Sequence, residues 1–95
     1  MKAYWIAHVT VTAPDQYKLY VDAAGAAFRK FNARILARGG RFEQMEGKGR
    51  ARNVVIEFAS LDEALACYHS TEYQSAKAKR AQAGEADILI VEGVE

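Results

Sequence analysis

The segment NVVIEFASLDEALACYHS, from Asn53 to Ser70, contains a strand that is followed at once by a helix. Asn53 to Ala59 is rich in β-branched and aromatic residues, which predicts a strand. Ser60 and Glu63 then have the spacing of a capping box, in which each side chain accepts a hydrogen bond from a free backbone donor of the first helical turn. Apolar residues continue at helical spacing, so we predict a helix as far as His69.

The chain before this segment predicts the same alternation of element types. Ala3 to Thr12 is a strand by its aromatic and β-branched content, and Pro14 suits the first turn of a helix. Apolar residues recur at steps of three and four from Tyr17 to Phe31, which predicts a helix of about five turns. Gly25 in its middle costs up to about 1 kcal/mol relative to alanine, so a close packing contact is expected there.

The remaining segments complete the pattern. Arg34 to Glu46 predicts a second strand with a bulge or bend at Gly39 and Gly40. A helix is predicted from Glu72 to Gln82 and a last strand from Ile88 to Glu92. The order of strand, helix, strand, strand, helix pair and strand is the split βαβ pattern. We therefore predict one α+β ferredoxin-like domain over residues 1–95, with a four-stranded antiparallel sheet and helices on one face.

Composition excludes several classes of protein. The formal net charge is +1 and the basic residues are dispersed, so neither nucleic acid nor a membrane surface is an expected partner. No apolar run approaches the roughly 20 residues of a membrane span, and no leader is recognisable, so a cytoplasmic location is expected. Cys67 is the one cysteine, which favours a small buried apolar residue over a reactive thiol.

Side chains alternate between the two faces of a strand, so parity sorts the residues of each strand. We call the predicted helix-free side of the sheet the open face. The residues predicted to lie beneath the helices are Ala3, Trp5, Ala7, Val9, Val11, Val54, Ile56, Phe58, Leu89 and Val91. Those predicted on the open face are Tyr4, Ile6, His8, Thr10, Thr12, Arg34, Leu36, Arg38, Asn53, Val55, Glu57, Ile88, Ile90 and Glu92. A face with so many aliphatic and so many charged groups predicts a homodimer in which two sheets pack together around a cavity.

The chain also resembles a known family. The segments that carry the resemblance are KAYWIAHVTVTAPDQYKLY (2–20), RGGRFEQMEG (38–47), VVIEFAS (54–60), YHSTEYQSAKAKR (68–80) and ILIVEGV (88–94). Together they resemble the family catalogued as domain of unknown function 1330, in the dimeric α/β-barrel superfamily. The resemblance implies a homodimer whose two sheets form one barrel. Ala13 departs from the family pattern, which has an aspartate before the proline, and this removes an N-cap worth about 1 kcal/mol unless Thr12 replaces it.

The superfamily does not choose a function, because its members include cofactor-free monooxygenases, muconolactone isomerases and haem proteins. His8 and Glu57 are the candidate catalytic residues: a histidine oriented by a carboxylate can act as a general base. The alternative is that His8 is only hydrogen-bonded within a dimer interface. Arg38 is the predicted partner of Glu57, since a bidentate ion pair would offset the desolvation of the carboxylate.

A second candidate group surrounds the junction of the two later helices: Tyr68, Ser70, Tyr73 and Arg80 are predicted to bind substrate together with Arg38. Arg80 would hold an anionic group at the mouth of the cavity, or alternatively pair with Glu46 or cap the junction. Tyr17 and Tyr20 are predicted to be packing aromatics. No metal site or cofactor is predicted, because three ligands would have to converge and no phosphate-binding glycine motif is present.

Two functions remain open. The first is a homodimer that binds a small, partly apolar or anionic molecule, with proton transfer or cofactor-independent oxygenation as its chemistry if it is an enzyme. The second is a non-enzymatic structural or interaction protein in which the polar residues fix the dimer interface. A cavity lined by His8 and Glu57 would favour the first function, and a filled interface would favour the second.

Overall fold

The computed structural model describes residues 1–95 and contains four strands and three helices. In chain order they are β1 (Ala3–Val11), α1 (Pro14–Lys30), β2 (Arg34–Arg38), β3 (Arg52–Phe58), α2 (Leu61–His69), α3 (Thr71–Arg80) and β4 (Gly84–Glu92). The sheet order is β2-β3-β1-β4, and every neighbouring pair is antiparallel. This confirms the predicted α+β ferredoxin-like fold.

One layer of helices covers one face of the sheet. The molecule measures 35 × 34 × 16 Å, and the short dimension has room for a sheet and a single layer of helices. The opposite side of the sheet, the open face, is not covered by any element of this chain. None of the three helices has the length and apolarity needed to cross a membrane.

The core is built around Trp5 of β1, whose side chain is 1% exposed. The rings of Phe28, Phe58, Tyr68 and Tyr73 lie with their centroids 4.8–6.0 Å from that of Trp5. These rings come from α1, β3, α2 and α3, so one aromatic residue joins the sheet to all three helices. Aromatic pairs at such distances add to the free energy gained from burial alone.

The helix ends follow from local sequence. The Ser60 side chain accepts a hydrogen bond from the Glu63 backbone N–H, which is one half of the predicted capping box; the Glu63 side chain makes no return hydrogen bond to Ser60. The Ser70 side chain accepts a similar hydrogen bond from the Tyr73 N–H. The N-cap of α1 is Ala13, which has no side-chain hydrogen bond, so Thr12 does not replace the missing aspartate. Just beyond α1, Asn32 has a φ of 56°, a left-handed conformation that asparagine tolerates better than most residues.

The face prediction is confirmed for β1 and β3 and is wrong for β4. Trp5 stands directly opposite Ile90, and Ala7 opposite Ile88, and directly opposite residues of antiparallel strands share a face. Ile88 and Ile90 therefore pack beneath the helices, whereas Leu89 is 52% exposed and Val91 45% exposed on the open face. The two faces of β4 cannot be told apart by alternation, because the residues from Ile88 to Val91 are all aliphatic.

The prediction for the second strand is also wrong in length and partly in face. β2 ends at Arg38, and residues 39–51 form an exposed irregular segment that returns the chain to β3. The ladder is irregular between Ile35 and Ala37, so the bulge lies before the two glycines. Beyond it Arg38 stands opposite Val54 and lies on the helix side of the sheet, although Arg34, opposite Glu57, lies on the open face as predicted.

Candidate functional site

A cavity of about 60 Å³ lies between α1 and the sheet, on the helix side. From α1 it is lined by one side of the helix: Tyr17, Tyr20, Val21, Ala24, Gly25 and Phe28. The sheet contributes Trp5, Ala7, Val9, Ile35, Val54, Ile56 and Ile88. Ile35 on the edge strand β2 is partly exposed, so the cavity lies near solvent on that side.

Gly25 forms part of the wall of this cavity. The close packing contact expected at Gly25 involves only the Arg29 side chain of the same helix, because the one atom within 4 Å of a Cβ placed there would be the Arg29 guanidinium Nη1, at 3.3 Å. The glycine therefore leaves space open within the apolar side of α1.

Three arginines complete the lining: Arg38 of β2, Arg52 of β3 and Arg80 of α3. The Arg52 guanidinium lies 5.5 Å from the ring centroid of Tyr17, and that of Arg80 lies 4.8 Å from the ring centroid of Tyr20. Tyr17 and Tyr20 are in contact, with ring centroids 5.3 Å apart. Two of the three arginines thus pack on tyrosines from the first two turns of α1.

None of these three arginines has a carboxylate partner. The ion pairs of the protein join Lys2 to Glu57, Lys30 to Glu72, and Arg50 to Glu85 and Asp87. An unpaired arginine on an open surface is simply solvated, but Nε of Arg52 is buried and has no hydrogen-bond partner. A buried donor without an acceptor costs about 1–3 kcal/mol, so this arrangement needs a compensating contact.

The conformation of the backbone helps to place Arg52. Gly39, immediately after β2, has a φ of 67°, and its N–H donates to the Asn53 carbonyl. A Cβ at Gly39 would lie 2.7 Å from Nη1 of Arg52, so glycine lets the backbone approach the guanidinium.

Behind Arg80 is a short chain of hydroxyl groups. Arg80 Nη1 donates to the Tyr73 hydroxyl oxygen at 3.0 Å, and the hydroxyl oxygens of Tyr73 and Tyr20 are 2.9 Å apart. Burial raises the pKa of both tyrosines above the ordinary value of 10.0, and at Tyr20 the neighbouring Tyr73 raises it further. Both phenols therefore stay neutral near neutral pH and can donate hydrogen bonds.

The predicted pairing of His8 with Glu57 is wrong. Both lie on the open face as predicted, but His8 stands opposite Asn53, and Glu57 is four residues further along β3, about 13 Å away at the ordinary rise of a strand. His8 Nδ1 instead donates to Asn53 Oδ1 at 2.6 Å. The cavity of this chain is not lined by either His8 or Glu57.

The predicted partners of two other charges are also wrong. Glu57 pairs with Lys2 at 3.2 Å rather than with Arg38, because Arg38 is on the other face of the sheet. Arg80 pairs with the Tyr73 hydroxyl rather than with Glu46, whose backbone carbonyl accepts a hydrogen bond from Gln44 in the exposed segment.

The five predicted substrate-binding residues divide into two sets. Arg38 and Arg80 line the cavity, and Tyr73 lies one hydrogen bond behind it. Tyr68 and Ser70 lie outside the cavity: the Tyr68 hydroxyl accepts a hydrogen bond from Lys77, and Ser70 caps α3.

Arg52 is the cavity residue that the sequence prediction missed. It lies two residues before Val54, so the alternation of β3 already puts its side chain on the helix side with Val54 and Ile56. Tyr17 and Tyr20 were predicted only as packing residues, and their rings do pack, but both also line the cavity.

Comparison with known proteins identifies the class and then the family. The class is the ferredoxin-like α+β domain. Residues 2–94 match the model of the domain of unknown function DUF1330, and the chain belongs to that family. No curated protein sequence matches this chain.

Solved structures resemble the chain in fold. A protein of unknown function from Rhodopseudomonas palustris aligns with a TM-score of 0.76 and 14% identity, covering 99% of this chain and 83% of its own. The cofactor-independent oxygenase SnoaB from Streptomyces nogalater aligns with a TM-score of 0.68 and 9% identity, covering 99% and 94%. A dimeric ferredoxin-like protein of unknown function from Bacteroides fragilis aligns with a TM-score of 0.58 and 14% identity, covering 97% and 96%.

Proposed function

We propose that this protein binds a small molecule with an apolar body and an anionic group in the cavity between α1 and the sheet. The observation that carries the proposal is the presence of three arginines without carboxylate partners around an otherwise apolar cavity. A guanidinium offers a planar set of donors that matches a carboxylate. The ligand's anionic group would lie among the arginines, and its apolar body would extend toward Trp5 and Phe28.

An anion is the ligand group that these residues best accommodate. It would supply an acceptor for Nε of Arg52 and reduce the repulsion among three like charges. A neutral ligand could fill the apolar part of the cavity but would leave the charges unbalanced. A cationic ligand would add to the repulsion.

We further propose a homodimer in which the open faces of two subunits pack together. Leu89 and Val91 are about half exposed there, and several polar groups that such packing would bury already have partners within the chain. His8 donates to Asn53, Glu57 pairs with Lys2, and Arg50 pairs with Asp87. Paired polar groups are far less costly to bury than unpaired ones. The dimeric state of the Bacteroides fragilis relative supports this assembly.

Cofactor-independent oxygenation of the bound molecule is a second candidate function, supported by the likeness in fold to SnoaB. The cavity lining contains no histidine, cysteine or carboxylate, so a general base is not supplied by these side chains. The catalytic roles of His8 and Glu57 stay predictions, as do the cytoplasmic location and the absence of nucleic-acid and membrane partners. The alternative function, a purely structural dimer, does not account for the three cavity arginines that lack carboxylate partners.

Fluorescence of Trp5 tests the binding proposal directly, because Trp5 is the one tryptophan and lines the cavity. Benzoate and butyrate would be titrated against their neutral isosteres benzamide and butyramide, in buffer without phosphate or other organic anions. We expect the acids to change the emission and to bind about tenfold or more tightly than the amides, the size expected for a hydrogen bond to a charged group. Equal affinity of acid and amide, or no binding of either acid, would overturn the proposal.

A further inference from the structure

The hydrogen bonds behind the cavity fix the direction in which the Tyr20 hydroxyl must point. A guanidinium can only donate, so in the contact between Arg80 and Tyr73 the tyrosine oxygen is the acceptor. The proton of the Tyr73 hydroxyl must therefore find its own acceptor elsewhere.

Only one acceptor is available to that proton. Tyr73 is 0% exposed, and its hydroxyl contacts only Arg80 and the hydroxyl of Tyr20. Buried hydroxyl groups are almost always satisfied, so the Tyr73 hydroxyl donates to the Tyr20 oxygen. The order of donation is thus Arg80 to Tyr73 and Tyr73 to Tyr20.

This order leaves the proton of Tyr20 without a partner in the chain. The Tyr20 hydroxyl has no other hydrogen-bond acceptor within the chain, because its other neighbour, Arg80, can only donate, and Tyr20 lines the cavity. We infer that Tyr20 is a specificity-determining residue whose hydroxyl donates a hydrogen bond to an oxygen of the bound molecule. The inference rests on the proposed binding function and adds to it a fixed donor that is distinct from the arginines.

The inference narrows the chemical class of the ligand. The polar side chains of the cavity lining are then the Tyr20 hydroxyl and the guanidinium groups of Arg38, Arg52 and Arg80, which all donate, and the Tyr17 hydroxyl, which can donate as well. A ligand head group that only accepts hydrogen bonds fits such a lining, which selects carboxylates, enolates and phenolates over amines and alcohols. Arg80 stands over the ring of Tyr20 and polarises its O–H bond toward such an anion.

Tyr20→Phe removes the proposed donor while it keeps the ring. Tyr4→Phe is the control, because it removes a tyrosine hydroxyl from the open face, away from the cavity. Benzoate affinity, followed by Trp5 fluorescence, is expected to fall about tenfold in Tyr20→Phe and to change less than about threefold in Tyr4→Phe. Similar losses in both variants would mean that the effect does not come from a hydrogen bond of the Tyr20 hydroxyl, which would overturn the inference.

Tyr73→Phe tests the relay from Arg80. Combined with Tyr20→Phe it should produce no loss of affinity beyond that of Tyr20→Phe alone, because Tyr73 acts through the Tyr20 hydroxyl. Losses of affinity that simply multiply in the double variant would contradict the relay.

Replacing Tyr20 with 3,5-difluorotyrosine, a stronger donor of nearly the same shape, should tighten benzoate binding. This replacement provides a test if Tyr20→Phe does not fold. Unchanged or weaker binding would count against the donor role.

The outcomes separate the two proposals. If benzoate binds to the native protein but Tyr20→Phe binds it equally well, the Tyr20 inference fails and the anion-binding function stands. If neither benzoate nor butyrate binds to the native protein, the function itself fails and the inference fails with it.

Discussion

Residues that line the cavity contribute to its packing and to its charge, and Arg52 contributes to both. Its guanidinium packs on the ring of Tyr17, a contact worth about 0.5–1 kcal/mol at a partly exposed site. Its buried Nε nevertheless lacks an acceptor. Because these two contributions oppose each other, Arg52 adds little to the stability of the unliganded protein.

We expect Arg52→Met to leave the free energy of unfolding of the unliganded protein within about 1 kcal/mol of the native value, because the lost ring contact and the removed orphan donor offset each other. The rise in melting temperature that benzoate produces should largely disappear. Arg34→Met, which removes an exposed arginine of the open face, is the control and should keep that rise. Equal responses of the two variants in a thermal melt would contradict the role of Arg52.

Cys67 supports the prediction of a buried apolar residue, since it is 0% exposed and burial raises the pKa of its thiol to about 11. At pH 8 about one thiol in a thousand is then ionised, against about one in ten at the ordinary value of 9.0. Iodoacetamide should therefore modify the native protein at least 100-fold more slowly than the urea-unfolded chain. Comparable rates would show that the thiol is accessible.

The raised pKa of Cys67 also has a consequence for stability. Above pH 9.0 the unfolded chain loses the thiol proton while the folded chain keeps it until about pH 11, so the contribution of this group to stability falls across that range. The urea midpoint of the native protein should drop more between pH 8 and pH 10 than that of Cys67→Ala. A parallel drop in both proteins would contradict the assignment.

Among the elements, α1 forms one wall of the cavity. Gly25 is the residue in the interior of α1 with the lowest helix propensity. Gly25→Ala should raise the free energy of unfolding by up to about 1 kcal/mol, because alanine has the higher helix propensity and only the flexible end of Arg29 lies near the new methyl group. The methyl group would also narrow the cavity, so benzoate should bind more weakly. Ala26→Gly, on the exposed side of α1, is the opposite control: it should lower stability and leave binding unchanged.

If Gly25→Ala is more stable than the native protein but binds benzoate equally tightly, then the ligand does not bind in this cavity. Urea denaturation and the Trp5 titration together distinguish these results.

The strands show how far the sequence determines the fold and where it falls short. β1 and β3 alternate between apolar and polar residues, so parity assigns their faces correctly, and it would have assigned Arg52 as well. β4 has no polar residue between Ile88 and Val91 that would show which of its side chains face the helices. The pairing of β4 with β1 determines their faces instead. In β2 the irregularity between Ile35 and Ala37 moves Arg38 to the helix side, a change of face that cannot be foreseen from alternation.

At the scale of the whole molecule, the helices leave one face of the sheet uncovered. Leu89, on the edge strand β4, stands opposite Ile6 of β1 on that face. Leu89→Lys should dissociate the proposed dimer, because it would place a charge in an apolar contact, and sedimentation equilibrium at micromolar concentration would show a monomer. Leu65→Lys changes a leucine of similar exposure on α2 and should leave the dimer intact. A native protein that is monomeric under these conditions would contradict the dimer.

The candidate site could be predicted only in part, because it depends on tertiary packing. Arg38 and Arg80 are far apart in sequence and were selected for their charge, and the fold does bring both to the cavity. His8 and Glu57 were selected as titratable groups of one face, but their separation depends on the register of β1 and β3. The cavity depends on the way α1 lies across the sheet, which no local pattern specifies.

The most direct test of the central claim is nitrogen-15 NMR of the arginine side chains during a benzoate titration. Nε–H of Arg52 has no acceptor in the free protein, so binding in the cavity should give it one and shift its proton resonance strongly downfield. Arg34 on the open face should not respond. Shifts confined to Arg34 and to the ring of His8, with Arg52 unchanged, would place the ligand on the opposite side of the sheet and contradict the account.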